Sequence, residues 1–433
     1  MTKTESRPLF TVIIPTKDRA EYLHHTLRTC SNQDYENLEV IVSDDGSSDN
    51  TKEVVLDAAQ KDKRIRYVTP GSVGMRDNFE FALDHVKSGY VIALGGDDGI
   101  LPYGISQMWR ALEETGMDIL TWAPPIFAYP GLRSGKGQIV LYRPGKSKVV
   151  RSSEYLARQV SDLHYLGDLE SPMFYIKGVV ATRLVKQVRS RTTDGRFYAC
   201  PTPDGFSGVV LAGEVEQYAF SGMPLTISGA SPTSQGAAYM SGGNESKKLS
   251  DSFYRAISDV PMHRDLASQP YSPLISLMTA DYLLTAKDLP GWPGQVPAID
   301  YENLLLKGLR ELANGLYAAD RVNRELGILH RIAQYHGLET FFRQKVKEMR
   351  RRRSRKFFVG NGISPSQVLL DCDMFQIHNI FDAAYVSHFV YQLLSKVNLD
   401  TIKKMIANSL KYKIQQFQNG DRFAPESEWI QEA

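Results

Sequence analysis

Three short acidic clusters hold the residues of this chain best suited to chemistry. PTKDR runs from Pro15 to Arg19, SDDGSSDNT from Ser43 to Thr51, and GGDDG from Gly95 to Gly99. Each closes an apolar run. A carboxylate at the end of a buried strand can accept hydrogen bonds from ribose hydroxyls or from a base N–H. The adjacent pair Asp97-Asp98 is either an acidic turn or a pair that holds a metal. Asp, Gly and Ser are common turn formers, so turn chemistry accounts for any one cluster. Three clusters at equivalent positions are harder to explain that way.

The elements that would position them are short and regular. LFTVIIP, LEVIVSD, RIRYVT and YVIALGG are apolar, rich in β-branched residues and followed by turn formers, which predicts buried strands. AEYLHHTLRTC places Leu23, Leu27 and Cys30 on one helical face. NFEFALDHV places Phe79, Ala82, Leu83 and Val86 at helical spacing. Strand–helix alternation of this kind predicts βαβ units, right-handed crossovers and a parallel sheet. Ligands of such sheets bind beyond the carboxyl ends of the strands, where all three clusters fall. No Gly-x-Gly-x-x-Gly follows the first strand and no Gly-Lys-Ser/Thr loop occurs, so neither dinucleotide fingerprint nor phosphate loop is present. Ser48 or Asp49 would cap the helix after the second strand.

Residues 120–248 are less regular and include the Gly/Ser-rich stretch SGASPTSQGAAYMSGGNESKK, either a surface loop or a lid over a site. Beyond residue 250 the pattern is mainly helical, interrupted by LPGWPGQVP, Leu289 to Pro297. The 433 residues suit two or three domains, or one large α/β unit with additions. With 51 basic against 49 acidic residues, the formal charge of +2 argues against a dedicated nucleic-acid binder. Cys30, Cys200 and Cys372 form no Cys-x-x-Cys pair and fit a reducing compartment. No secretory signal pattern and no apolar run of about 18 residues are seen, so a cytoplasmic location is expected.

FTVIIPTKDRAEYLHHTLRTC, LEVIVSDDGSSDNTKEVV and YVIALGGDDGILP together resemble the N-terminal half of a family-2, GT-A-fold glycosyltransferase, closely over residues 8–125. The resemblance implies an α/β GT-A fold, a Rossmann-like and mostly parallel sheet flanked by helices. It implies a glycosyltransferase domain over 1–248, with a nucleotide-binding half at 8–125 and an acceptor half at 126–248, ahead of a helical region over 249–433. It further implies transfer of a sugar from a nucleoside-diphosphate-sugar donor to a hydroxyl of a glycan or lipid-linked acceptor, by inversion and with a divalent cation, Mn²⁺ or Mg²⁺. Surface polysaccharide synthesis is the family's expected setting. By position, Pro15 and Thr16 would line the nucleotide pocket and Asp18 would shape its loop. Asp45, with Asp44 beside it, would meet the base or ribose. Arg76 would sit near the diphosphate, where a guanidinium can bind phosphate oxygens in a bidentate way; it can equally be a solvated residue at a helix start.

The third cluster departs from the family pattern. Aligned through the following Leu-Pro, Gly95 stands where the first acidic residue of Asp-x-Asp is expected. Asp97 falls on the metal-touching position, and Asp98 follows it. Such an ion binds through one or two carboxylates plus substrate phosphates and water, so Asp97 alone is chemically sufficient. For the base that takes the acceptor proton, the family pattern points to Asp204 in FYACPTPDGFSGVVLAGEV, with Asp168, Glu170, Asp194, Glu214 and Glu216 as alternatives. The basic run Arg350, Arg351, Arg352 and Arg353 beside Phe357 and Phe358 could meet an anionic membrane surface at the inner face, or be a solvated helix end. The loss at Gly95 leaves open a sugar-nucleotide-binding protein without turnover. A nucleotidyltransferase would need a Gly-rich basic loop where PTKDRAEYL stands.

Overall fold

A computed structural model describes residues 7–132, 135–202, 204–234, 251, 254, 257, 260–314, 317–349, 362–363 and 367–396. The first four apolar runs form β1 (Phe10–Thr16), β2 (Leu38–Asp44), β3 (Ile65–Val68) and β4 (Tyr90–Ala93). Between them lie the helices α1 (Ala20–Ser31), α2 (Thr51–Lys61) and α3 (Met75–Asp84). β1 pairs in parallel with β2 and β4, and β2 in parallel with β3. The register brings Thr16 level with Asp44 and Ile13 level with Ala93, so the three acidic loops leave the sheet along one edge.

The chain continues through β5 (Gly99–Ile100), α4 (Gly104–Thr115), β6 (Ile119–Trp122), β7 (Ile126–Ala128), β8 (Gln138–Tyr142), β9 (Lys148–Arg151) and α5 (Ser152–Asp162). It then forms β10 (Gly178–Ala181), α6 (Thr182–Arg189), α7 (Asp204–Glu214), β11 (Gln217–Ser221) and β12 (Thr226–Ala230). The main sheet has the order β3-β2-β1-β4-β10-β6-β11-β9. It is mixed because β10 lies antiparallel between β4 and β6, and β9 closes the far edge antiparallel to β11. Gly-Val-Val-Ala in β10 is wholly buried, and a four-residue buried run reads the same in either direction.

Both faces of this sheet are covered, as its unbroken apolar strands require. One core holds Leu23 and Leu27 of α1, Val55 of α2 and Met108 and Leu112 of α4. The opposite core holds Phe79 of α3, Leu156 of α5, Leu184 of α6 and Val209 of α7, and runs on into Leu277, Leu283, Leu304, Leu329 and Ile332. Elements on both sides of residue 248 therefore share one core. The helix Ile275–Lys287 packs on α7, and the Trp292 indole donates to the carbonyl of Val210 at 2.9 Å. That ring presses on α7 where a side chain would not fit: a Cβ on Gly213 would lie 2.1 Å from Trp292 Cζ2.

A second sheet has the order β13-β14-β8-β7-β12-β5, with β13 at Gly362–Ile363 and β14 at Gln367–Asp371. Its β14 pairs with β8, so the mainly helical C-terminal region also supplies strands to the N-terminal half. The helix Ile380–Lys396 packs against α1 and β12. Cys30, Cys200 and Cys372 are all buried and free. Arg350 to Arg353, Phe357, Phe358 and most of the Gly/Ser-rich stretch lie outside the described residues.

Candidate active site

The first two loops interlock. Asp18 sits in the left-handed region at φ 49°, a conformation that a short polar side chain tolerates better than most. Its carboxylate accepts from the Ser48 amide at 2.6 Å and the Ser48 hydroxyl at 3.0 Å. In return the Asp18 amide donates to Ser47 Oγ at 2.8 Å, and the Ala20 amide to Asp49 at 3.0 Å. Asn50 occupies the cap position of α2, while Asp49 also accepts from the Thr51 amide at 3.0 Å. Asp44 is buried and accepts from the Ser47 amide at 2.9 Å and the Tyr67 hydroxyl at 2.9 Å. Asp18, Asp44 and Asp49 thus brace the loops.

Asp45 has a more open arrangement. One oxygen accepts from the amides of Val73 and Gly74 at 2.7 and 2.9 Å. The other meets the half-exposed Lys17 ammonium at 3.3 Å, a contact that a ligand could displace at small cost. Thr16 Oγ1 is buried with no hydrogen-bond partner. It faces Gly96, where a Cβ would come within 3.0 Å of it. An orphaned buried hydroxyl is uncommon and calls for an explanation. Arg76 is the second residue of α3, two positions after the Asp45-bound Gly74 amide, and its Nε lies 3.4 Å from Asp77.

At the third loop the two aspartates separate in role. Asp98 is 1% exposed, and its oxygens accept from the amides of Gly95 at 2.6 Å and Gly229 at 2.8 Å. Burial and the adjacent Asp97 charge nevertheless push its carboxyl well above the usual range. Asp97 keeps its carboxylate clear of side-chain hydrogen bonds among the described residues. Its nearest cation is Arg19, 3.9 Å away. Its carbonyl accepts from the Tyr129 hydroxyl at 3.1 Å. Arg19 reaches further, donating to Ser231 Oγ at 2.9 Å, to the Thr233 hydroxyl and to the Thr233 carbonyl at 2.8 Å. It ties the segment after β12 across the same edge.

Asp204 is the first residue of α7 and only partly exposed. Its carboxylate makes no ion pair or hydrogen bond among the described residues, and burial pushes it up to about 6. Tyrosines 165, 175, 198, 271 and 282 all feel its charge. Tyr175 also feels Asp98 and Asp97. The alternatives are engaged or remote in environment. Arg158 bonds Asp168 at 3.1 Å and Glu170 at 2.9 Å, and Lys148 meets Glu170 at 2.5 Å. Arg191 holds the buried Glu214 at 2.6 Å, Asp194 meets Arg196 at 3.5 Å, and Glu216 is exposed.

Two residues of this edge carry little signal in the sequence. Arg19 stands out only as part of PTKDR, and Tyr175 has no distinguishing context at all. No group of three or more His, Cys, Asp or Glu that could hold a metal unaided occurs among the described residues. The donor set fits a hard divalent ion nonetheless, provided that Asp97 is joined by phosphate oxygens and water, the usual mode for Mg²⁺.

Residues 11–159 match the family model "Glycosyl transferase family 2". The chain carries a family-2-like glycosyltransferase domain. Its mixed, mostly parallel sheet with helices on both faces is the GT-A arrangement. A GalNAc(5)-diNAcBac-PP-undecaprenol beta-1,3-glucosyltransferase of Campylobacter jejuni is 36% identical over 109 residues, 25% of this chain and 35% of that protein. A validoxylamine A glucosyltransferase of Streptomyces hygroscopicus is 45% identical over 75 residues, 17% of this chain and 18% of that protein. The first two curated relatives are matched over 35% and 38% of their length, so the chain spans about a third of each. Among solved structures, S. aureus TarS aligns with a TM-score of 0.42 at 14% identity, covering 82% of this chain and 57% of that one. A mannosyltransferase of Pyrobaculum calidifontis, in complex with GDP-Man and Mn2+, aligns at 0.38 and 14% identity over 79% and 85%. No helix of the described residues is long and apolar enough to cross a membrane.

Proposed function

We propose that this protein transfers a sugar from a nucleoside-diphosphate-sugar donor to a hydroxyl of a glycan or lipid-linked acceptor, with inversion at the sugar carbon. The reading is supported by the sheet edge that the Thr16, Asp45 and Asp97 loops share, with Asp204 taken as the base because its carboxylate has no ion-pair or hydrogen-bond partner among the described residues. Asp45 and the unpartnered Thr16 hydroxyl offer the nucleoside its polar contacts. Arg19 and Arg76 supply cationic groups for the diphosphate. Asp97, together with donor phosphates, would hold a divalent cation, and that ion neutralises charge on the departing nucleoside diphosphate when bound.

Asp204 is the base in this scheme. It accepts the acceptor hydroxyl's proton as that oxygen bonds to the sugar carbon and the carbon–phosphate-oxygen bond breaks on the opposite face. A carboxylate raised to about 6 by burial is well matched to proton transfer near neutral pH, yet still ionised there. Asp98, Asp18 and Asp44 act by holding the loops. The C-terminal helices would serve the reaction by fixing α7, and with it Asp204.

A thermal-shift screen of nucleotide-sugars with and without Mn²⁺ tests the donor assignment. A ligand at a hundredfold its Kd stabilises by about 2.7 kcal/mol. One nucleotide-sugar should therefore raise the melting temperature by several degrees, more so with metal. No shift with any nucleotide-sugar would remove the reading.

A further inference from the structure

Resting on the reading of Asp97 as the carboxylate that meets the divalent cation, we infer that Arg19 is a fixed positive charge that keeps the ion from residing at Asp97 until a nucleoside diphosphate is bound. The guanidinium is tied at its far end. Its Nη1 donates to Ser231 Oγ at 2.9 Å and to the Thr233 hydroxyl, and its Nη2 donates to the Thr233 carbonyl at 2.8 Å. Ser231 is fully buried. The Arg19 backbone is fixed as firmly. Its carbonyl accepts from the amides of Tyr22 and Leu23 at 3.0 and 2.8 Å, and its amide donates to Thr51 Oγ1 at 3.3 Å. The stem passes over Gly96, where a Cβ would lie 3.2 Å from Arg19 Cβ. With both ends held, the charge has no slack to retreat when another cation arrives.

The charges at this corner offset one another without any ion. Arg19 Nη1 stands 3.9 Å from Asp97 Oδ2, and the two side chains are only 17% and 13% exposed. Asp98 is buried and turned to the amides of Gly95 and Gly229. Position 95 is glycine and adds no further carboxylate. A divalent ion sits about 2.1 Å from a carboxylate oxygen, so an ion on Asp97 Oδ2 would stand within about 6 Å of Arg19 Nη1. At that separation the repulsion between a single and a double charge weakens binding about tenfold in water, and salt screening lowers this to about threefold. For a diphosphate the sign reverses, because the same guanidinium attracts phosphate oxygens. Arg19 thus holds off the bare metal and draws in the anion, and the anion brings the negative charge and the oxygen ligands that the ion lacks.

The test is Arg19→Gln, which removes the charge and keeps a side chain able to donate to Ser231 and Thr233, beside Arg19→Lys, which keeps the charge. Binding of Mn²⁺ alone is read by electron paramagnetic resonance, and binding of UDP, GDP, ADP and CDP in EDTA by calorimetry, alongside melting temperature. Arg19→Gln should bind Mn²⁺ alone about threefold to tenfold more tightly than the wild type, and its preferred nucleotide more weakly by a similar factor. A structural lesion would weaken both ligands, so opposite signs belong to the charge. Arg19→Lys should hold Mn²⁺ as weakly as the wild type does. No gain in Mn²⁺ binding by Arg19→Gln overturns the inference, and so does an equal gain by Arg19→Lys, which would mark added space and not lost charge. Should Arg19→Gln not fold, the wild type decides. It should bind Mn²⁺ alone at least about tenfold more weakly than with its preferred nucleotide, whose phosphates complete the ion's ligands; a smaller difference overturns the inference. Asp97→Asn controls for the underlying reading. If it binds Mn²⁺ with nucleotide as well as the wild type does, the assignment of Asp97 fails and not only the part given to Arg19.

Discussion

Replacing Asp204 with Asn should make the protein more stable and less active, each in a pH-dependent way. The carboxyl is raised from 3.8 to about 6 by burial. A tenfold change in proton affinity is worth about 1.4 kcal/mol, so ionised Asp204 costs the folded state at most about 3 kcal/mol. Partial solvent access lowers that to about 2 kcal/mol. The sign follows from linkage. Below pH 3.8 the group is neutral in both folded and unfolded chains and costs nothing. Between pH 3.8 and about 6 the unfolded chain ionises while the folded one stays protonated, so stability falls across that window and the loss is complete above it. The Asp204→Asn protein has no such loss. Its melting temperature should match the wild type near pH 4 and exceed it by a few degrees at pH 8. Turnover of the wild type should fall about tenfold per pH unit below 6, because the base is then protonated. Melting curves and kcat/KM profiles from pH 4 to 8 decide the matter. A stability difference independent of pH, or a variant that retains turnover with the same acid limb, would refute the reasoning.

Three further outcomes are expected. Arg19→Ala removes the cation that spans Asp97 and the Ser231–Thr233 segment; the donor KM should rise about tenfold with a smaller change in kcat, measured by steady-state kinetics. Gly229→Ala would place a Cβ 1.8 Å from the Asp97 carbonyl oxygen; overpacking of that kind costs about 1–3 kcal/mol or more, so the melting temperature should drop by several degrees and donor binding should weaken with it. Lys177 is buried, donates to the Asp168 carbonyl at 2.9 Å and is pushed down to about 8 by burial. Its charged form is disfavoured in the fold, so the stability of the wild type relative to Lys177→Met should increase between about pH 8 and 10.5 in denaturant titrations.

The strands and helices of the first 115 residues are legible in the sequence because each obeys one period and ends in turn formers. The three acidic loops are legible for the same reason: Asp, Gly and Ser after a buried strand leave the sheet at its carboxyl edge. Which aspartates brace loops and which stay open is not legible. That division depends on partners 23 to 131 positions away, such as Tyr67 on Asp44 and Gly229 on Asp98. The family pattern points to Asp204 as the base with Asp168 and Glu170 as alternatives, and residue type alone does not separate them; only the fold brings Arg158 and Lys148 onto the latter two. β14 is hidden as a five-residue run inside a mainly helical stretch, since its meaning comes from β8.

The most direct test of the whole account separates donor binding from donor turnover across three proteins. Wild type, Asp97→Asn and Asp204→Asn would each be given the nucleotide-sugar that stabilises the wild type, with Mn²⁺, and assayed for binding by calorimetry and for release of nucleoside diphosphate. The account predicts that Asp204→Asn binds the donor as the wild type does while turnover falls by about a hundredfold or more, and that Asp97→Asn loses both. Undiminished turnover in Asp204→Asn, or undiminished donor binding in Asp97→Asn, would contradict it.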